Sequence, residues 1–369
     1  IYHGGEPHYK VAYRQVSESS RAQTVVDISQ IHEVTELVGY FRMPVVVEVH
    51  YKDGTYSTQK EWVDGAGHRM AIPNEGNKEV AFVLFDPGNE ILKTVTFEKQ
   101  PEELMAQALG APLMIDRYDA LVALRATETG VKRDALIKIY DKETFHATKA
   151  EIISQLAEDE DLASIALIAK ALQDKDHRVR LSAVENVKII SPGQRALFES
   201  LLKDSSYVII EKTLVKLCSQ FPSSKNQYLA QTNDMMGLNR SLRITWLALS
   251  AGKQEDIRQA RSVETLITIG GYDAGTMSEL IDYTSPSYEF RTRNNAFEAL
   301  KSLNHLDDRV IANLFDAMLS FNSRLANPAG TVLAYFYQQS DKKAAIDGYF
   351  RNTKWEPWQE DILRKHLNL

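Results

Sequence analysis

At 369 residues, with 44% hydrophobic and 25% charged side chains, the chain is too long for one ordinary core and too apolar for disorder, so two or more globular domains are expected. A formal net charge of -7, a pI of about 5.8 and the scatter of Lys and Arg among Asp and Glu exclude a duplex-binding surface, which needs a basic cluster against phosphates. Nucleic acid is therefore not an expected partner, and no apolar run approaches the ~20 residues of a membrane span.

The chain begins at Ile1, without a methionine or a visible signal peptide, and runs at once into folded-type sequence at Tyr2, Pro7, Tyr9, Val11 and Tyr13. That start predicts a piece of a longer protein. Short runs of β-formers follow at Tyr9–Gln15, Thr24–Gln30, Val45–Tyr51, Tyr56–Val63, His68–Ile72, Ala81–Phe85 and Thr94–Phe97. Lys52-Asp53-Gly54 and Asp64-Gly65-Ala66-Gly67 supply residues comfortable at positive φ, as hairpin turns require. Short strands with closely spaced turn signals predict a small antiparallel β-sandwich domain over residues 1–98.

The apolar rhythm changes after Phe85. Asp86-Pro87-Gly88-Asn89 is turn chemistry, and from Pro101 the period is helical as far as Leu369. Within this part the pattern Arg-x-x-Ala-x-x-x-aliphatic recurs as Arg117/Ala120/Leu124, Arg180/Ala183/Val187 and Arg293/Ala296/Leu300, with degenerate versions at Lys212/Val215 and Arg243/Trp246. Asp176-x-x-Val179-Arg180-x-x-Ala183 is similar to the second helix of HEAT repeats, where a small residue lets helices approach and the Asp and Arg tie neighbouring repeats. A single helix pair cannot bury its apolar face alone, so residues 99–369 are predicted to form an all-α, HEAT-like superhelical solenoid. An unrelated helical bundle is the alternative. Breaks between helices are predicted at Ser191-Pro192-Gly193, Phe221-Pro222-Ser223, Gly270-Gly271, Thr284-Ser285-Pro286 and Asn327-Pro328.

Chemistry-bearing motifs are few. His32-Glu33-Val34-Thr35-Glu36 has Glu where a helix-borne zinc site needs its second His, and no other two His residues stand one helical turn apart. There is no Gly-x-Ser-x-Gly elbow and no phosphate loop. The acidic run Glu158-Asp159-Glu160-Asp161 lacks the spacing and central Gly of a calcium loop and reads as a helix start. Cys218, the single cysteine, sits among Leu214, Val215, Leu217 and Phe221, as a buried small hydrophobe does. No catalytic and no metal-binding residue is assigned. The one candidate binding group is Tyr283, Tyr288 and Arg291, whose residue types are favoured at binding surfaces and which flank the break at Pro286. Packing between helices is the competing role for the tyrosines.

Three segments resemble the C-terminal half of the aminopeptidase N family of zinc metallopeptidases. Tyr2-x-Gly4-Gly5-x-Pro7 resembles the start of that family's small β-sandwich, and Phe41-Arg42-Met43-Pro44-Val45-Val46-Val47-Glu48-Val49 through Asp53-Gly54 to Trp62-Val63 its central strands. Val83-Leu84-Phe85-Asp86-Pro87, Pro101-Glu102-Glu103-Leu104 and Asp116-Arg117-Tyr118-Asp119-Ala120-Leu121 resemble its passage into the helical domain. The match covers roughly residues 1–125. The resemblance implies a sandwich followed by a superhelical cap that closes over an active site and limits access to peptides. The family's H-E-x-x-H, distal Glu, Gly-Ala-Met-Glu-Asn segment and catalytic Tyr are all missing from this sequence. Zinc is expected only in a catalytic domain upstream of Ile1, which would be the chain's partner along with peptide substrates. The other reading is a solenoid interaction scaffold whose parent has lost peptidase chemistry.

Overall fold

Alternation of apolar and polar side chains at period two builds seven strands among the described residues: β1 (His8–Glu18), β2 (Arg21–Gln30), β3 (Met43–Tyr51), β4 (Tyr56–Val63), β5 (Gly67–Pro73), β6 (Val80–Phe85) and β7 (Thr94–Phe97). Every predicted strand is present, β4 and β7 with the predicted bounds. The structure, a computed structural model, describes residues 4–18, 21–232, 240–250 and 274–367. The chain divides into two compact units, Ile1–Lys188 and Ile189–Leu369. The change from strands to helices, between Phe97 and Pro101, lies inside the first.

The strands form a four-stranded sheet in the order β5-β2-β1-β7 and a three-stranded sheet in the order β4-β3-β6. Tyr9, Val11, Val26, Ile28, Met70 and Ile72 of the first sheet and Val45, Val47, Val49, Val63 and Val83 of the second share one buried core. That is the inward-facing set of a sandwich. One pairing departs from the antiparallel expectation: β7 runs parallel to β1, with His8 opposite Thr94. The reason is the connection, which crosses from one sheet to the other after β6 instead of folding back as a hairpin. Its turn uses the predicted residues, with Asp86, Gly88 and Asn89 all at positive φ (55°, 81° and 55°).

β6 is an edge strand, and the outward backbone groups of Val83 at its middle are covered. Val83 N–H donates to Glu103 at 3.2 Å, and Lys99 donates to Val83 O. Two side chains therefore take the place of a further strand, which protects the edge from pairing with another chain.

The helices of the first unit are α1 (Pro101–Gly110), α2 (Met114–Ala123), α3 (Thr129–Lys142), α4 (His146–Leu156), α5 (Leu162–Ala171) and α6 (His177–Asn186). Pro101 opens α1, where its missing N–H costs nothing. From α1 to α6 each helix packs on the next but one, and α1 on α2, α3 on α4, α4 on α5 and α5 on α6, the pattern of stacked helix pairs. Three ion pairs repeat along the stack with a constant separation of 26 residues: Arg117–Glu143, Arg125–Glu151 and Arg133–Asp159.

The described helices of the second unit are α7 (Arg195–Ser200), α8 (Tyr207–Gln220), α9 (Lys225–Thr232), α10 (Arg240–Ser250), α11 (Ala274–Asp282), α12 (Phe290–Ser302), α13 (Asp308–Met318), α14 (Ser323–Tyr337), α15 (Ser340–Asn352) and α16 (Pro357–Leu367). The molecule is thus a β module followed by a HEAT-like helical array.

The repeat pattern falls where it should. Ala120, Ala183 and Ala296 are fully buried, as are Leu124, Val187 and Leu300. The arginines before them clamp the preceding turn: Arg117 donates to Ala111 O and Pro112 O, Arg180 to Asp174 O and Lys175 O, and Arg293 to Thr284 O. Arg117 and Arg293 then reach onward to Glu143 and Asp316. Asp176, by contrast, caps its own helix, accepting from Arg178 N–H at 2.9 Å.

Of the predicted breaks, those at Pro192, Pro222 and Pro286 lie between helices, and Gly270-Gly271 lies outside the described residues. Asn327-Pro328 is a correction, because Pro328 stands inside α14. A proline there deprives Arg324 O of its helical donor. Asn294 of α12 supplies one instead, its Nδ2 donating to Arg324 O at 2.7 Å. The acidic run also does more than start a helix. Asp161 caps α5 through Ala163 N–H, while Asp159 accepts from both Arg133 and Ser164.

Candidate functional site

The turn between α11 and α12 carries the residues singled out in the sequence. The Tyr283 and Tyr288 rings meet edge to face, with centroids 5.1 Å apart and planes at 61°. Tyr283 donates to Glu279 Oε1 at 3.2 Å, and the same carboxylate accepts from Arg243 Nε at 3.1 Å and Nη2 at 2.8 Å. Burial, with Glu279 beside it, raises the Tyr283 hydroxyl above its ordinary range, while the Arg243 hydrogen bonds lower Glu279. Tyr288 donates to Asp282 Oδ2 at 3.0 Å. Arg243 lies over the Trp246 ring, 5.0 Å from its centre.

Glu289 caps α12 by accepting from the Arg291 and Thr292 N–H groups, which leaves the Arg291 side chain exposed with its guanidinium 4.8 Å from the centre of the Phe290 ring. The fold thus pairs the two tyrosines, commits their hydroxyls to carboxylates of α11, and leaves Arg291 as an outward cation close by. Tyr283 also packs against the hydrophobic core of its unit, the competing role read from the sequence, so the exposed Arg291 guanidinium is the part of the group turned to solvent.

A second group, which the sequence reading did not single out, lies in the first unit. A cleft of about 440 Å³ opens between the end of β6, β7, α1 and α2. Its apolar lining includes Leu84, Val95, Phe97, Leu104 and Val122, and its polar lining Asp86, Lys93, Lys99, Gln107, Asp116 and Asp119.

Asp86 and Lys93 form a buried ion pair, each side chain 4% exposed. Lys99 donates to Val83 O and Gln107 Oε1. Burial lowers its ammonium to about 8, against the opposing pull of Glu103, Asp116 and Asp119. Asp116 is buried and receives the Gly88 N–H at 3.0 and 3.2 Å on its two oxygens. Burial raises the Asp116, Asp119 and Glu103 carboxyls alike. Perturbed groups converging on a cleft make it a candidate site. The one local signal was the spacing of Asp116 and Asp119, which places both carboxylates on one face of a helix. Lys99 sits in a polar connection and gives no such signal.

His32 lies in the connection between β2 and β3 and donates from Nε2 to Gly39 O at 3.1 Å. Among the described residues no group of three or more His, Cys, Asp or Glu is placed to hold a metal ion. Cys218 is buried on α8, and that burial pushes its thiol up to about 11, as suits an inert core residue. No helix among the described residues is long and apolar enough to cross a membrane.

No protein-family model matches the chain. No curated protein matches it either. Among solved structures, aminopeptidase A of Legionella pneumophila is similar at 12% identity and a TM-score of 0.47, covering 99% of this chain and 49% of its own. Human deoxyhypusine hydroxylase is similar at 13% identity and a TM-score of 0.28, covering 73% of this chain and 93% of its own. The chain thus spans about half the length of the aminopeptidase. Likenesses this loose carry no argument about function.

Proposed function

We propose that the chain is a non-catalytic C-terminal part of an aminopeptidase of the aminopeptidase N type, capping and shaping the peptide chamber of a catalytic domain that lies outside it. The observation that supports this reading is how the segments of the sequence resemblance meet. Val83–Pro87, Pro101–Leu104 and Asp116–Leu121 are separate stretches of sequence, and Glu103 accepts Val83 N–H while Asp116 accepts Gly88 N–H, one residue past Pro87. The residues that resemble the family are the ones that join the sandwich to the helices. In this reading zinc and the chemistry belong to the upstream domain, and the helical array limits which peptides reach it.

A second reading, an interaction scaffold without peptidase chemistry, draws on Phe321. Phe321 is 99% exposed, and its ring centre lies 6.3 Å from that of Trp358, itself 47% exposed, so two aromatic side chains face solvent together.

The coding sequence upstream of Ile1 separates the two. H-E-x-x-H with a distal Glu there is the expected finding, and its absence would leave the scaffold. In parallel, purified residues 1–369 should hydrolyse no aminoacyl chromogenic substrate, with or without added zinc. Chelator-sensitive turnover that survives purification would overturn the assignment of catalysis to another domain.

A further inference from the structure

The cleft beside α2 contains charges that the fold leaves partly unanswered. Lys93 is fully engaged, with donors to Asp86, Asn89 Oδ1 and Ile91 O. Lys99 spends two of its three N–H groups in hydrogen bonds, on Val83 O and Gln107 Oε1, and its ammonium lies 4.5 Å from the centre of the Phe97 ring. Asp116 takes a single backbone N–H, shared between both oxygens. Asp119 has neither a hydrogen bond nor an ion pair among the described residues, although Lys93 and Lys99 are close enough to act on its charge. An ammonium and two carboxylates therefore line one cavity without touching.

The arrangement selects its ligand by exclusion. A simple cation drawn to Asp116 and Asp119 meets Lys99. A simple anion drawn to Lys99 meets two carboxylates. A small molecule carrying both charges a few atoms apart answers all three groups, and the walls formed by Leu84, Val95, Leu104 and Val122 suit an apolar substituent.

We propose that this cleft binds a free α-amino acid with an aliphatic side chain. Its ammonium lies between Asp116 and Asp119, and its carboxylate accepts the remaining N–H of Lys99. Binding is reversible and involves no bond making. The site is separate from the tyrosine pair at the α11–α12 turn, and the inference does not depend on any peptidase activity.

The test is isothermal titration of residues 1–369 with L-leucine, leucinamide (no carboxylate) and isocaproate (no ammonium). Saturable binding of leucine is expected, with each truncated ligand weaker by about tenfold or more, the scale of one charge-assisted hydrogen bond. Asp119→Asn should weaken leucine by about the same factor while leaving the melting temperature unchanged, because Asp119 makes no structural bond. Lys99→Met should also weaken leucine, but Lys99 additionally holds the edge of β6, so its melt is recorded beside the titration and Asp119→Asn remains the deciding variant. Failure of leucine to bind, equal affinity for leucinamide or isocaproate, or full affinity in Asp119→Asn would each overturn the proposal.

Discussion

Arg293→Ala is the sharpest perturbation of the helical array. Arg293 is 5% exposed, and its guanidinium donates to Thr284 O at 2.9 Å, Asn313 O at 3.1 Å and Asp316 Oδ2 at 2.8 Å. Asp316 is half-exposed and regains water when its partner goes, so that contact contributes little. Thr284 is fully buried, so its carbonyl is left without a donor, at about 1–3 kcal/mol. Asn313 O and the space left by the side chain add to this, for a total of about 3 kcal/mol. In a unit of this size that corresponds to a fall of about 6–12 °C in melting temperature. Arg291→Ala, two residues away on an exposed side chain, should stay within about 0.5 kcal/mol. The assay is thermal unfolding by circular dichroism, with amide exchange over residues 284–316 to locate the loss. If the two variants melt together, Arg293 is not the clamp described here.

Further tests address the repeat and the two titrating groups. Leu in place of Ala183 or Ala296 should cost about 1–3 kcal/mol by overpacking, while Lys170→Ala on an exposed face should not; equal melts for all three would refute the register. The hydrogen bond from Arg133 holds Asp159 down to about 2, so the stability it contributes is complete above 3.8 and is lost as pH falls towards 2. Acid titration of Arg133→Ala should lack that loss. Lys99 has the opposite sign. Its folded value of about 8 lies below its ordinary 10.5, so the unfolded chain holds more protons between them and stability rises with pH across that window. Lys99→Met should flatten the rise, and an unchanged profile would show that Lys99 is not the group responsible.

The sandwich was legible because alternation at period two is a local signal, and the strand bounds followed from turn residues such as Asp53-Gly54. The parallel pairing of β7 was not, because it depends on which sheet the chain enters after Asn89. Pro328 misled for a related reason: the donor that makes a proline tolerable in α14 comes from Asn294, thirty-odd positions earlier. The same limit hid the cleft. Lys99 acquires its environment from Val83, Gln107 and Asp116, and no short window contains them all. The tyrosine pair was found because Tyr283 and Tyr288 flank one turn, yet their carboxylate partners Glu279 and Asp282 went unnoticed.

The central claim is that this chain shapes a peptide chamber without performing the chemistry. Its most direct test is peptide-length dependence in a protein that joins this chain to the proposed catalytic domain. Turnover of a single-residue chromogenic substrate and of peptides of increasing length would be compared between the unmodified protein and Arg291→Ala. The account predicts unchanged turnover of the chromogenic substrate, with a loss of kcat/KM that grows with peptide length. Equal kinetics at every length, or no peptidase activity in that joined protein, would contradict it.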